Sequence, residues 1–375
     1  FIVLLLILST PLFSQNKDAE KNDSACLSWS LDIPSSNWGI SFGNSQNFNG
    51  LRINYRDCDI KNINGINFTL WNAKSVTNSE VNGISLGIAP QASKLHGINL
   101  GIGAIVAEEE MIGINFGLLS SVSNGEITGI NFGGLALVSE GKIQGINLAG
   151  LALVSENSIK GINFGGLALV AQSNIYGLNL GGLALVSEEN ISGINVGGLA
   201  SVSQGKLTGL NLSTLALVSE SSITGVNLSG LAIVSQEEIY GINIGGLALV
   251  SEESIKGINF GGLAIVSGDN SMYGLGLSLG KIKVNESLKG ISISGYKTES
   301  FDFTGLNFTL AWTEFENMNG FSFAGYNQIN NTQNGLTIGL VNIAENLNGV
   351  QIGLINIAYN NSGIFKILPL INAHL

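Results

Sequence analysis

Apolar and polar residues alternate along this chain in short bursts, and the bursts return every sixteen residues. Residues 129–144 read GINFGGLALVSEGKIQ, and residues 145–160 read GINLAGLALVSENSIK. Counting each unit from its leading glycine, places two and four are apolar and place three is nearly always polar, as in Ile130, Asn131 and Phe132. That alternation predicts a strand with one face buried, places two and four pointing inward. Places seven and nine are then usually apolar around a small residue (Leu135, Ala136, Leu137), so the expected inward parity switches across Gly133 and Gly134. A flat strand keeps its parity, whereas a bend at a glycine pair can change it. A polar corner follows, residues 139–142 (SEGK), and Ile143 is a third inward position. One unit therefore reads as one coil of two or three short strands.

The leading glycines stand at 97, 113, 129, 145, 161, 177, 193, 209, 225, 241 and 257 without insertion. Two places after each comes asparagine: Asn99, Asn115, Asn131, Asn147, Asn163, Asn179, Asn195, Asn211, Asn227, Asn243 and Asn259. Looser units led by Gly50, Gly65 and Gly83 precede this block; others led by Gly274, Gly290, Gly305, Gly320, Gly335 and Gly349 follow it. The isolated coil buries too little to offset its ordering entropy, but stacked coils share ladder hydrogen bonds and one interior. The expected fold is all-β: a single repeat domain, a β-solenoid of about 20 coils of ~16 residues, rising about 4.8 Å per coil to a rod of roughly 95 Å. The asparagine column is expected to be a structural ladder of stacked amides.

A transmembrane β-barrel meander, acting in the outer membrane as a pore or anchor, is the alternative. If places two, four, six, eight and ten share one face, each unit is a strand of about ten residues with an apolar stripe, long enough to cross an outer membrane. The alternation Glu156, Gln172, Glu188, Gln204, Glu220, Gln236, Glu252 has a period of two units, as hairpins would. In a parallel stack it also keeps like charges from facing one another at about 4.8 Å.

Composition narrows the setting. Charged residues are 11% of 375, against about 25% in an ordinary soluble domain, and glycine is 51 against only 4 prolines. The net charge of −11 argues against nucleic acid or anionic membrane surfaces as partners, since both need a basic stripe and none exists. The opening FIVLLLILSTPLFSQ has the length of a signal-peptide core and is too short to span a bilayer. The expected divisions are a leader at 1–14, an N-terminal cap at 15–49, the repeat domain at 50–362 and a C-terminal cap at 363–375. Export permits a disulfide between the two cysteines, Cys26 and Cys58, or they remain two free thiols.

No catalytic constellation is legible. His96 sits at a corner where sister units carry Thr, Gln, Lys or Tyr, and His374 lies in the terminal cap. Glu108, Glu109 and Glu110 with Glu140, Glu156 and Glu188 could hold calcium, but the Gly-Asp calcium-repeat signature is missing and a solvated edge is the expected role. The glycines of 274–280 (GLGLSLG) have no following helix for a phosphate loop. The sequence implies no cofactor, no metal and no enzyme.

The repeated GxNΦGGLAΦVS units, the closing NGLTIGLVNIAENLNGVQIGLINIAYNNS and the LPLINAHL end resemble bacterial surface-repeat proteins of spirochaetes and similar exported proteins of Bacteroidota. The resemblance implies a place at the cell surface, in the outer membrane or in the periplasm, and a partner that is a surface ligand or an envelope component. It brings no activity. The sixteen-residue period is shared with ice-nucleation repeats, but their Thr-x-Thr rows are absent here.

Overall fold

Each sixteen-residue unit of the central block forms one long and one short strand, such as Ile143–Ala149 and Ala152–Ser155. The computed structural model describes Cys26 and residues 29–374; the leader-like run at 1–14 lies outside the described residues. Neighbouring units pair in parallel and in register. Ile143 faces Ile159, Gly145 faces Gly161 and Asn147 faces Asn163, while Leu153 of the short strand faces Leu169. The same register carries the glycine column from Gly39 against Gly50 to Gly320 against Gly335. This is a β-solenoid, and its parallel pairing leaves no meander from which a barrel could close. Among the described residues, antiparallel strands stand only at the ends: Ser30–Ser35 against Trp38–Gly43, and Ile367–His374 against Tyr326–Ala358.

At places two, four and seven the side chains face the opposite way from the sequence expectation. Asn147 is fully buried, whereas its neighbours Ile146 and Leu148 are 39% and 37% exposed. Leu151 at place seven is exposed too; Leu153 at place nine and Ile143 at place fifteen are buried, as expected. The inward places are therefore fifteen, three, five, nine and eleven. All are odd, so the bend at Gly133 and Gly134 turns the chain without switching its parity.

Two physical causes set this facing. The long and short strands converge at the bend until a Cβ on Gly133 would lie 2.0 Å from the carbonyl oxygen of Ala136. Place five must stay small, and the interior tapers to nothing there. Place three tolerates a polar side chain because an amide can bond the amide of the next coil (below), which removes the usual penalty for burying it. The apolar core is consequently narrow, two rows mainly of Ile and Leu such as Ile143 with Ile159 and Leu153 with Leu169, the second row interrupted by buried Ser121 and Ser201.

The N-terminal end is closed by a polar plug. Arg52 takes the asparagine place in its coil and is fully buried. Its guanidinium donates to Asp57 Oδ1 at 2.5 Å, Asn67 Oδ1 at 2.7 Å and Asn44 Oδ1 at 2.9 Å. Cys26 and Cys58 are joined by a disulfide beside this plug, and the Cys58 backbone N–H donates to Asn44 Oδ1. Cross-linking positions 32 residues apart restricts the unfolded chain, so reduction is expected to lower unfolding free energy by about 3 kcal/mol. Urea titrations with and without reductant measure this; coincident curves contradict it.

Candidate functional site

Ten hydrogen bonds join the eleven asparagines into one ladder. Asn99 Nδ2 donates to Asn115 Oδ1 at 2.7 Å, Asn163 Nδ2 to Asn179 Oδ1 at 2.8 Å, and Asn179 Nδ2 to Asn195 Oδ1 at 2.7 Å; the series continues to Asn259. In the middle of the column the amide also donates to backbone, as in Asn179 donating to the Gly177 and Ser192 carbonyls. A buried, internally bonded column offers nothing to a ligand. It is a structural element.

A second polar ladder was not read from the sequence. The serine at place eleven donates to a backbone carbonyl of the preceding coil's corner: Ser155 Oγ to Gly141 O at 2.7 Å, Ser219 Oγ to Gly205 O at 2.6 Å, Ser267 Oγ to Glu253 O at 2.8 Å. The repetition of serine at that place was the available signal; Ala107 and Ala171 break it.

The titratable candidates do not converge on a reaction centre. His96 lies at its corner between Asn82 Oδ1 at 3.1 Å and Glu110 Oε1 at 3.0 Å. Glu109 and Glu110 also flank Lys94, whose hydrogen bond to Glu110 and the charge of both carboxylates hold its ammonium above the usual lysine range. His374, in the last strand, bonds Asn361 in the turn before it. Glu140, Glu156 and Glu188 stand exposed along the charged edge. Among the described residues, the group of three ligands close enough to hold a metal is Cys26, Cys58 and Asp59, and its two sulfurs are already bonded to each other. Residues 274–280 belong to the strand Ser271–Ser278 and the turn after it, so no phosphate loop forms.

What the stack does present is an uncharged apolar arc. Between residues 97 and 272, every Asp, Glu and Lys falls at places twelve to fourteen or sixteen; places one to eleven carry no charge in any of the eleven units. Places two and four form the outer face of the long strands, Leu at place seven forms the edge, and Ala and Val at places eight and ten form the outer face of the short strands. The edge is leucine in ten successive coils, from Leu119 to Leu263, and these side chains are 40–61% exposed. A shallow apolar groove of about 560 Å³ crosses the arc at its N-terminal end, lined by Phe68, Leu86, Leu100 and Phe116 among others. Soluble proteins seldom leave apolar surface so continuous, and where they do it is a contact site. The sequence signal for the arc was the confinement of charge to four places of sixteen. Assigning places two and four to the interior hid it.

The arc ends where charge reaches the short-strand face. Lys281 pairs with Glu299 at 2.7 Å, and Lys297 pairs with Glu299 at 3.1 Å and Glu314 at 2.5 Å while covering the Trp312 ring at 4.1 Å. Burial pushes the Glu299 carboxyl up, but hydrogen bonds from Lys281 and Lys297 outweigh it and hold its pKa below the ordinary value.

No protein-family model, no curated protein and no solved structure matches the chain.

Proposed function

We propose that this protein is an exported binding rod of a bacterial cell envelope, with a structural or adhesive role and no catalysis. The observation that carries the reading is the uncharged, solvent-facing arc repeated coil after coil. A solenoid of equal coils displays the same few side chains at about 4.8 Å intervals, which suits many weak identical contacts rather than one reaction centre. The leader-like opening and the resemblance to surface-repeat proteins support the envelope as the place, with a surface ligand or envelope component as partner. The acidic balance of the polar edge argues against nucleic acid. Fractionation of the native cells tests the proposal: the protein is expected in the envelope fraction and open to protease added to intact or outer-membrane-permeabilised cells. Recovery in the cytosol, protected from protease in both, would overturn it.

A further inference from the structure

We propose that the arc binds lipid: the central block lies along a membrane with its leucine edge sunk into one leaflet and its charged edge in water. The proposal rests on the reading of the chain as a binding rod and names the partner.

Several independent features fit a leaflet. The uncharged surface wraps three sides of the coil, namely the long-strand face, the leucine edge and the short-strand face. A second copy docked flat on the long-strand face would cover places two and four and leave the leucines and valines wet. A fluid covers all three sides at once. The depth also matches: a short strand such as Ala184–Ser187 has four residues, about 13 Å at 3.3 Å each. One leaflet contributes about 15 Å of hydrocarbon, half of roughly 30 Å.

Hydrocarbon penalises unpaired backbone groups, and the leucine edge has paired its amides already. The Gly182 N–H donates to Gly165 O, while the Leu183 and Ala184 N–H groups both donate to Leu167 O, and every neighbouring coil repeats this. The buried asparagines and serines are bonded inside the stack. Place sixteen, where the apolar face meets the charged edge, carries Tyr176, Tyr240, Lys160 and Lys256, residue types that settle at a membrane–water boundary. The opposite corner is comparably exposed, yet changes freely among Glu, Gln, Ser and Gly, whereas the edge keeps leucine. The Lys281–Glu299 patch bounds the embedded stretch, leaving the ten coils led by Gly113 to Gly257, about 48 Å of rod.

The charged edge fixes which lipid suffices. Residues 97–272 hold 14 acidic and 4 basic side chains, so attraction to anionic headgroups is not the driving force. Binding is expected on neutral phosphatidylcholine, with little dependence on salt.

The test is flotation of the full chain with phosphatidylcholine vesicles at low and high salt. The native protein is expected to float at both. The pair Leu183→Glu and Leu199→Glu, on exposed positions, is expected to keep the native melting curve and to lower vesicle partition about tenfold or more, since each carboxylate would enter hydrocarbon. Glu188→Gln on the charged edge is expected to float as the native chain does. Native protein that stays in solution overturns the proposal, as does a folded double variant that floats undiminished. If the native chain instead forms dimers that the double variant dissociates, the partner is a second copy: lipid is excluded while the binding-rod reading stands. If it neither floats nor self-associates, lipid is excluded and the cell fractionation decides the wider reading.

Discussion

Replacing Gly177 with alanine is expected to cost about 3–5 kcal/mol of unfolding free energy, as would the same change at its sister glycines. Two penalties coincide there. The residue has φ of +111°, a region that L side chains rarely adopt, and an added Cβ would stand 2.1 Å from the carbonyl oxygen of Gly161 in the coil before. That oxygen belongs to backbone, and the backbone is bonded in register on both sides, so neither coil can move aside alone. Place six provides the comparison. Gly182 would also meet a neighbouring carbonyl, but it lies in the bend between strands, its φ is not in the left-handed region, and sister coils carry Leu118 and Thr214 at that place. Gly182→Thr is therefore expected to cost much less. Urea unfolding of the two variants measures the difference; equal midpoints would contradict the steric account.

Asn179→Asp is expected to cost roughly 3 kcal/mol or more at neutral pH. The amide is fully buried, accepts from Asn163 and donates to Asn195 and to two carbonyls. A carboxylate keeps the first bond, loses the donors, and places a charge with no cation beside it. Burial without a partner raises the folded-state pKa of the new carboxyl above its unfolded value of about 4. The defect is then smallest below about pH 4, where both states are protonated and the acid can donate to Asn195, and grows as pH rises through the raised folded value. Melting curves across pH check both size and sign. A variant as stable as the native chain at neutral pH would mean that the column is open to water.

Period, glycine column and asparagine ladder were legible in the sequence because each rests on local identity: a stack in register puts Gly161 on Gly145 and Asn163 on Asn147, whatever the handedness of the coil. The bend at Gly133 and Gly134 stands where the sequence reading put it, but the parity switch from which it was inferred does not occur. The facing was not legible. Alternation says which residues share a side, and the apolar side is taken as the inside only when the outside is assumed to be water. Here Asn147 goes in because its amide is fully bonded, place five admits no bulk beside Ala136, and Ile146 and Leu148 are left outside. The coil before Gly50 carries GISF at residues 39–42 but is spaced by eleven residues, so the sixteen-residue count passed over it. The plug around Arg52 needed three-dimensional proximity, since Asn44, Asp57 and Asn67 come from three turns of chain.

The central claim is that one unit is one coil of a parallel stack with leucine on its outer edge. Spin-label pairs at place seven test it directly, with one label at Leu135→Cys and the other at Leu199→Cys, Leu215→Cys, Leu231→Cys or Leu263→Cys, the native disulfide kept. These pairs are four, five, six and eight units apart. Measured by pulsed electron spin resonance, the separations are expected to rise on one straight line of about 4.8 Å per unit, from about 19 Å to about 38 Å. The five-unit pair is the decisive point: on the line, it confirms a stack in which every unit runs the same way. Displaced from the line by the length of a strand, it would mean that successive units alternate in direction, and the account would be wrong.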